Sequence, residues 1–534
     1  MRADAGPADF SELARQVGDR LLRVQAPPAG LRNPYAIQDD PGAFQTTGWL
    51  GAYDSRASAV AVAAETAGDI AAAVRFAAAT GTRLAIKGTG HDYLGRSGAP
   101  GSLLVWTHRM REVTVHDAFT PAGAAAGAPG VPAVTVGAGT RWLEAYQALA
   151  ARGRYVQGGG CTSVGAAGGF TQGGGFGSFS RRYGTAAGNV LEAEVVTASG
   201  EVLIVNAGQH DDLFWALRGG GGGTFGVVTG LTMATHPMPQ AISRVAGTIR
   251  ARGAEDFREL VGELVRFLPR LCDDHWGEYV MVRTDDAVEF GLMAAELPVE
   301  QARAVWQPFL DWVAGHPDAF SSDVSVSALP FGLWDSRALD ELAPGSVCHD
   351  DRPGAPAGQW WWAASQLEVS WYLNAYQSRW LPGRLLDEAP GAVAEALFRA
   401  SRHSLVRLDV NKALRGEAPG AAARDRATAI NPAVFDAAVL VLAASWQPET
   451  FPGVPGREPD PERGAAGARQ VSRAMAEIRE LAPGAGSYVN EADYFEPGWQ
   501  QSFWGRNYPR LRRIKQKYDP ANIFRVHHGV GSEA

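Results

Sequence analysis

Glycine is concentrated in one part of this chain. Many of its 64 glycines fall between Gly137 and Gly230, and the densest run lies between Gly158 and Gly188. Ordering so flexible a backbone costs conformational entropy, and a tight turn needs few glycines. A long glycine-rich segment is better explained by a backbone that passes close to a large flat or charged ligand. We therefore expect a ligand-binding segment here.

The length and charge of the chain limit its class. A chain of 534 residues exceeds one compact core, which predicts two packed domains. Its net charge of −8 argues against a nucleic acid or an anionic membrane surface as partner. No stretch approaches the roughly 20 apolar residues of a membrane helix, and residues 1–16 lack the pattern of a secretory signal. We expect a cytoplasmic protein without a membrane partner.

The cysteines are too few for a disulfide framework. Cys161, Cys272 and Cys348 are odd in number and far apart in the sequence. The simplest interpretation of each is a buried, inert thiol. We expect neither a disulfide nor a metal site.

A β–α–β unit is predicted near the start of the regular pattern. The run VAVAAE after Ala59 indicates a strand, and a helix follows with Thr66 as its N-cap and Gly81 just past its end. RLAIKG indicates a second strand. This order places the loop Gly88–Ser97 at the carboxyl end of a strand, where α/β folds bind ligands.

The later segments divide into two regions with different predicted secondary-structure patterns. Up to Pro237 we expect a strand at 133–137, a helix from Thr140 to Arg152, a hairpin turning at Ser199–Gly200, a helix from Asp211 and a closing strand. Beyond Pro237, amphipathic helices alternate with strands, which indicates a separate α+β domain with an antiparallel sheet. Its predicted strands are EYVMVRTD, VEFGLMAA, QLEVSWYLNAY, SLVRLDVNKAL and DAAVLVLAASW. Further expectations are helices at 10–22, 466–481 and 507–519, and a strand at SYVNEA.

The first chemical motif is KGTGHDYLGRS, from Lys87 to Ser97. Gly88 and Gly90 let backbone N–H groups turn toward an anion such as a pyrophosphate. The motif is neither a Walker loop nor G-x-G-x-x-G. By itself it is equally consistent with a tight turn that holds His91 by a hydrogen bond.

The second motif spans Tyr155 to Ser180 and contains Cys161. With small neighbours, the thiolate of Cys161 could be exposed and stabilised by amides, although a passive cysteine in a loop is the alternative. A third glycine-rich stretch, Arg218 to Val228, follows a helix and precedes a strand. That is the reverse of the Rossmann order, so we reject an NAD-type site there.

Together these stretches resemble the berberine-bridge-enzyme-like branch of the vanillyl-alcohol-oxidase flavoproteins, and the C-terminal NYPRLRRIKQKYDPANIF extends the resemblance over nearly the whole chain. It implies a two-domain, PCMH-type α+β fold that binds FAD. The implied parts are a lead-in at 1–50, an FAD-binding domain at 51–238, a substrate domain at 239–482 and a returning segment at 483–534. It also implies two bonds to the flavin, from His91 to the 8α-methyl and from Cys161 to C6.

The resemblance further implies a set of residues around the flavin. They are Lys87, Gly88, Thr89, Gly90, Asp92, Leu94, Gly95, Thr140, Val164, Gly165, Gly168, Gly169, Gly173, Gly174, Gly175, Gly177, Val196, Asn507 and Tyr508. Family members use the position of Val164 to control oxygen access, and a small valine there fits an oxidase, with a packing role as the alternative. Thr162 and Phe170 depart from the usual proline and histidine, which leaves the substrate open.

The catalytic base is predicted less directly. The resemblance indicates Tyr488, whose ordinary pKa near 10 requires a cationic or hydrogen-bonding neighbour. In a strand, Asn490 would share its face. Alternation would also group Arg407, Asp409 and Asn411, and separately Gln366, Glu368, Ser370 and Tyr372, as substrate walls or as solvated faces. Asp409 and Glu368 are the alternative bases.

The combined prediction is an FAD-dependent oxidase. It would take a hydride from a C–OH or C–N centre of a small secondary metabolite, sugar or alcohol and reduce O₂ to H₂O₂. Alternatives are a dehydrogenase with another acceptor, an oxidative cyclase or desaturase, and a non-catalytic flavin-binding protein. The sequence leaves the substrate and the oligomeric state open.

Overall fold

A computed structural model describes residues 9–25, 32–55, 57–329 and 334–533. The predicted absence of a secretory signal concerns residues 1–16, of which 1–8 lie outside the described residues. In the described ranges, no helix combines the length and the apolar character needed to cross a bilayer.

The first sheet contains the predicted β–α–β unit. Its strands lie in the order Leu21–Arg23, Val60–Ala63, Ser102–Trp106 and Arg83–Lys87, and the last three are parallel. The helix Ala67–Thr80 begins with a capping box at Thr66 and ends at Gly81 with φ +71°. These predictions are confirmed. The N-terminal helix is shorter than expected, Ser11–Val17, because the chain turns at Gly18 and then pairs as a strand.

A five-stranded antiparallel sheet completes the first half. Its strands lie in the order Val202–Asn206, Val190–Val196, Val227–Ala234, Val131–Gly137 and Val113–Phe119. The first two form the predicted hairpin. The helices Trp142–Ala150 and Asp211–Leu217 and the C-terminal helix Tyr508–Tyr518 pack with it around one apolar core.

The second half is built on a large, mostly antiparallel sheet. Its main path is Phe320–Ser322, Ile242–Ala251, Ala287–Ala295, Gly277–Val282, Val406–Asp409, Ala437–Gln447, Trp371–Pro382, Thr46–Trp49 and Tyr53–Asp54, with Ser325–Ala328 beside the second strand. Four amphipathic helices cover one face, Ala254–Asp273, Val299–Ala314, Pro390–Ser401 and Pro461–Leu481. The other face is turned toward the glycine-rich segments. Thr46–Trp49 pairs in parallel with Trp371–Pro382, so the end of the lead-in extends this sheet.

Two short strand pairs and several short helices connect these units. The pairs are Arg154–Tyr155 with His236–Pro237 and Val347–His349 with Trp360–Trp362. The remaining α-helices are Pro34–Gln38, Gly169–Gln172, Ser180–Tyr183, Ser336–Leu342, Arg384–Glu388, Pro419–Arg426 and Trp499–Trp504.

Three predictions based on strand alternation are wrong. Gln366 and Glu368 lie in a 3₁₀ turn, Ala363–Glu368, because the strand begins only at Trp371 after a left-handed Ser370. Asn411 likewise leaves its strand for the 3₁₀ turn Val410–Lys412. The segment SYVNEA forms a tight turn closed between Tyr488 and Glu491 instead of a strand. Local hydrogen bonds close two of these turns, from the Val369 amide to the Gln366 carbonyl and from the Glu491 amide to the Tyr488 carbonyl, and strand alternation does not reveal them.

Candidate active site

A cavity of about 900 Å³ lies between the glycine-rich segments and the uncovered face of the large sheet. This volume is near the upper end of the ~300–1,000 Å³ typical of ligand sites. The loop that follows the strand Arg83–Lys87 and the segment Gly158–Gly169 form one wall, and strands such as Gly277–Val282 and Val406–Asp409 form the other.

His91 lies at the glycine-rich wall as a neutral imidazole. Its Nε2 lies 3.0 Å from Oγ of Ser163 and 3.1 Å from Nε2 of Gln38. Burial, together with the nearby charge of Lys87, lowers the pKa of His91 to about 3. Within the described residues no hydrogen bond engages Nδ1, so this nitrogen is the unengaged one of the ring.

Cys161 lines the same wall, and Ser163 connects it to His91. The Cys161 sulfur lies 3.5 Å from the Ser163 hydroxyl. Burial raises the pKa of Cys161 above its ordinary value, although Ser163 opposes the shift. Desolvation thus outweighs hydrogen bonding and favours the neutral thiol over the amide-stabilised thiolate that the sequence suggested. Cys161, Cys272 and Cys348 are free thiols in this structure, with Cys272 buried and the other two partly exposed.

The predicted glycines divide into two groups. The first group lines the cavity, and with its neighbours it comprises Gly88, Thr89, Gly90, Asp92, Val164, Gly165, Gly168 and Gly169. A side chain at Gly168 or Gly169 would meet no protein atom within 4 Å, so the backbone there is open to a ligand. The second group packs against protein, since a Cβ at Gly175 would lie 2.6 Å from Ala186 and one at Gly177 would lie 1.8 Å from the carbonyl oxygen of Gly158. Only part of the glycine run thus leaves its backbone open to the cavity.

The other residues predicted to surround the flavin lie outside the cavity lining. They are Lys87, Leu94, Gly95, Thr140, Gly173, Gly174, Gly175, Gly177, Val196, Asn507 and Tyr508. The polar side chains among them form hydrogen bonds with other protein groups. Lys87 donates to the carbonyls of Asp40 and Ala43, each at 2.6 Å, Asn507 donates to Ile430, and Tyr508 donates to Glu533. These side chains hold loops around the cavity in place.

A network of buried charges occupies the sheet wall. Asp409 accepts hydrogen bonds from Nε of Arg407 at 2.5 Å and from Nζ of Lys412 at 3.0 Å. Lys412 also donates to Glu491 at 2.5 Å. Burial alone would raise the pKa of Asp409, but Arg407 and Lys412 hold it below its ordinary value. Asp409 is therefore a carboxylate paired on both oxygens.

Tyr488 lies at the cavity with a hydroxyl that stays protonated. Its oxygen accepts a hydrogen bond from Nδ2 of Asn490 at 3.0 Å, so the predicted contact exists, although the tight turn makes it instead of a strand. Burial and the nearby Glu491 raise the pKa of Tyr488 to about 12. The hydroxyl is therefore suited to donate a hydrogen bond.

Glu368 reaches the cavity from the 3₁₀ turn. Its Oε2 accepts hydrogen bonds from Tyr93 and Gln45, both at 3.4 Å. In the described ranges no cation lies within ion-pairing distance, and burial raises the pKa of Glu368 above its ordinary value. Its charge also raises the pKa of Cys161, which shows that the two groups are close.

Sequence reasoning missed several cavity residues. They are Tyr93, Tyr376, Lys412, Glu491 and Glu278, together with Ser163, a buried residue that contacts His91 and Cys161 of the wall. Ser163 and Tyr93 carried a local signal, since they lie inside the second and the first motif. The other four come from separate strands and turns, and no spacing in the sequence connects them.

The cavity fits a flavin dinucleotide. An open glycine backbone forms one wall, a neutral imidazole and a thiol lie together there, and hydrogen-bonding side chains face them from the sheet. Glycine amides suit a pyrophosphate and a flat ring system, and the two nucleophiles suit an electron-poor ring. A two-domain fold with such a cleft defines a flavin-dependent oxidoreductase.

Comparison with known proteins identifies the family. Residues 58–206 match the family described as FAD binding domain, and residues 487–531 match the one described as berberine and berberine like. An uncharacterized FAD-linked oxidoreductase of Arthroderma benhamiae is 34% identical over 484 residues, covering 87% of this chain and 76% of that protein. The crystal structure of the VAO-type flavoprotein MtVAO615 from Myceliophthora thermophila C1 is 27% identical and matches with a TM-score of 0.79, covering 100% of this chain and 97% of that one. The glucooligosaccharide oxidase of Acremonium strictum shares the fold at 19% identity, with a TM-score of 0.69 and coverage of 98% and 99%.

The chain therefore belongs to the berberine-bridge-enzyme-like branch of the VAO-type flavoproteins, a family of FAD-linked oxidoreductases. The predicted family, the α+β fold class and the enzymatic nature of the protein are confirmed.

Proposed function

We propose that this protein is an FAD-dependent oxidase with two covalent bonds to its flavin. It takes a hydride from a C–OH or C–N carbon of a small organic substrate and passes the electrons to O₂, which becomes H₂O₂. The observation that carries the proposal is the contact of one hydroxyl, that of Ser163, with both His91 and Cys161 at the wall of the cavity. FAD supplies the hydride acceptor when it is bound.

The two nucleophiles support the double attachment. Since Nε2 of His91 is engaged by Ser163 and Gln38, Nδ1 is the nitrogen available for a bond to the flavin. The imidazole is neutral at physiological pH and therefore nucleophilic. The Acremonium strictum glucooligosaccharide oxidase carries a 6-S-cysteinyl, 8α-N1-histidyl FAD, the same pair of linkages proposed here. Val164 lies on the cavity wall, and its small side chain is consistent with access of O₂.

Glu368 is the best-supported proton acceptor. Oxidation of an alcohol or amine carbon requires the O–H or N–H proton to leave as the hydride departs, and a carboxylate with a raised pKa accepts it efficiently. Asp409 is less suited because two cations stabilise its charge. Tyr488, with its raised pKa, orients the substrate by donating a hydrogen bond, and it remains the alternative base.

The experiment measures flavin attachment and oxygen use on the same preparation. Acid-precipitated protein should remain yellow, with a mass increase of one FAD, and peptide mapping should locate the flavin on His91 and Cys161. A screen of alcohols, amines and sugars under air should release H₂O₂ with at least one of them. Flavin that separates on denaturation would contradict the double attachment. Turnover with an artificial acceptor but without peroxide would indicate a dehydrogenase, and a flavin that no compound reduces anaerobically would indicate a binding protein.

A further inference from the structure

Glu278 has a backbone conformation that its residue type avoids. It is the second residue of the strand Gly277–Val282, and its φ is +73°. In the left-handed region the Cβ of an L-residue crowds the backbone carbonyl, so a glutamate is held there only when its surroundings impose it. Such residues concentrate at ligand-binding positions. Glu278 lines the cavity.

The contact that imposes this backbone conformation on Glu278 comes from the glycine-rich segment. The backbones of Gly277 and Ser178 touch, since a Cβ on Gly277 would lie 1.7 Å from the Ser178 carbonyl oxygen. The Ser178 hydroxyl donates a hydrogen bond to Oε1 of Glu278. This contact between the sheet and the glycine-rich wall directs the Glu278 carboxylate toward Gly160, where a Cβ would lie 3.8 Å from Oε1. Gly160 precedes Cys161 in the chain.

The Glu278 carboxylate also differs from most other acids of the cavity. Asp92, Asp409 and Glu491 each form an ion pair with an arginine or lysine. In the described part of the chain no lysine, arginine or histidine nitrogen lies within 4 Å of Glu278, and Ser178 is its one side-chain hydrogen-bond donor. A carboxylate has about four lone-pair positions for hydrogen bonds, so Glu278 keeps acceptor capacity that faces the cavity.

We propose that Glu278 is a substrate-binding residue that accepts a hydrogen bond from an O–H or N–H group of the substrate. It rests on the proposed function, because the substrate must lie between the glycine-rich wall and the sheet. The strained backbone keeps the carboxylate beside the flavin-attachment segment. With ordinary strand geometry, the side chain of Glu278 would instead follow the alternation of its neighbours. Glu278 thereby selects substrates with a hydrogen-bond donor near the oxidised carbon.

The strain is tested without any substrate. Glu278→Gly and Glu278→Ala both remove the side chain and its bond to Ser178, but only glycine adopts a φ of +73° without penalty. We expect the urea midpoint of the holoprotein to be higher for Glu278→Gly than for Glu278→Ala. Equal urea midpoints, or a lower midpoint for Glu278→Gly, would contradict the claim that the Glu278 backbone is strained.

Binding is tested by calorimetry with benzyl alcohol and benzylammonium chloride as probes. A phenyl ring suits the aromatic side chains of the cavity, Tyr93, Trp371 and Tyr376. Glu278→Leu should weaken both probes at least tenfold, whereas Glu278→Gln should weaken mainly the ammonium probe, because glutamine still accepts a hydrogen bond. The matched control is Glu289→Gln, on the neighbouring strand. In wild type the Glu289 carboxylate pairs with Arg283, and the variant should bind both probes like wild type.

Several outcomes would overturn the proposal. They are unchanged affinity in Glu278→Leu, an equal loss in Glu289→Gln, and no binding of either probe to wild type. A wild type that lacks covalent flavin or peroxide release would contradict the proposed function instead, because probe binding to Glu278 does not require turnover.

Discussion

The Ser163 hydroxyl oxygen lies 3.0 Å from Nε2 of His91. Its other neighbour is the sulfur of Cys161, at 3.5 Å. One side chain therefore orients both residues proposed to bond the flavin, and it leaves Nδ1 of His91 free. This contact joins two motifs that are separated in the chain by three strands, Ser102–Trp106, Val113–Phe119 and Val131–Gly137, and by the helix Trp142–Ala150.

We predict that Ser163→Ala slows flavin attachment without unfolding the protein. Loss of one hydrogen bond costs about 1 kcal/mol, or roughly fivefold in rate. To measure the attachment rate, FAD is added to apoprotein and samples are acid-precipitated over time. The fraction of flavin that stays with the protein gives the rate. Thr162→Ala is the neighbouring control, because the Thr162 hydroxyl donates to the Trp360 carbonyl instead. Equal rates in all three proteins would show that Ser163 plays no part in attachment.

We predict that Glu368→Gln lowers the rate of anaerobic flavin reduction about 100-fold or more, the usual effect of losing a general base. In wild type the base must be deprotonated, so the rate should fall as pH falls through the raised pKa of Glu368. Stopped-flow absorbance across the acid range measures both. Tyr488→Phe should have the smaller effect, and a larger loss there would make the tyrosine the base.

The difference in stability between Glu368→Gln and wild type should also depend on pH, and it should be largest at neutral pH. Because the folded-state pKa of Glu368 is raised, its favourable contribution is fully present below the unfolded-state pKa and is lost as pH rises through the folded-state pKa. The glutamine variant cannot ionise, so it should be more stable than wild type at neutral pH and lose this advantage in acid. Urea unfolding at both pH values measures it.

We predict that Lys412→Met destabilises the fold by about 3 to 5 kcal/mol, the usual cost of breaking a buried charge pair. Lys412 bridges Asp409, which is 0% exposed, and Glu491. Its removal leaves two carboxylates with fewer partners in a cavity wall. Lys517→Met is the control, because the Lys517 pair with Asp212 is 59% exposed on the lysine side and should cost less than about 1 kcal/mol. Equal urea midpoints for the two variants would contradict the prediction.

We predict that Arg181→Met weakens the junction between the two halves by about 3 kcal/mol or more. Arg181 is 1% exposed, and its guanidinium donates to four backbone carbonyls of the second half, those of Trp276, Val410, Arg415 and Ala438. Each buried carbonyl left unpaired costs about 1 to 3 kcal/mol. Arg182→Met is the adjacent control, with little change in unfolding free energy expected. A similar loss in both variants would indicate a general effect of the helix.

We predict that two glycine variants behave differently although they lie in one segment. Gly177→Ala should prevent stable folding, because its Cβ would overlap the Gly158 carbonyl oxygen. Gly168→Ala should fold normally, since no protein atom lies within 4 Å of the new methyl group, but should retain less FAD. Circular dichroism and bound-flavin absorbance separate the two effects. Normal flavin content in Gly168→Ala would exclude close approach of the cofactor there.

Features that depend on nearby residues followed from the sequence alone. The helix Ala67–Thr80 could be predicted at both ends because its cap at Thr66 and its terminator at Gly81 are local. The family could be recognised because His91 and Cys161 lie in contiguous motifs. Strand periodicity located most of the large sheet, since alternation is a property of successive residues.

Features that depend on contacts between distant segments required the tertiary structure. Glycine looks the same in sequence whether its missing side chain makes room for a ligand, as at Gly168, or for another backbone, as at Gly177. Alternation failed at Glu368 and Asn411 because turns replace the strands there. The bridge of Lys412 to Glu491 and the strained backbone of Glu278 arise only where the sheet meets segments far away in the chain. The sequence thus determined the fold and the proposed flavin-attachment residues, while packing between the two halves decided which polar groups face the cavity.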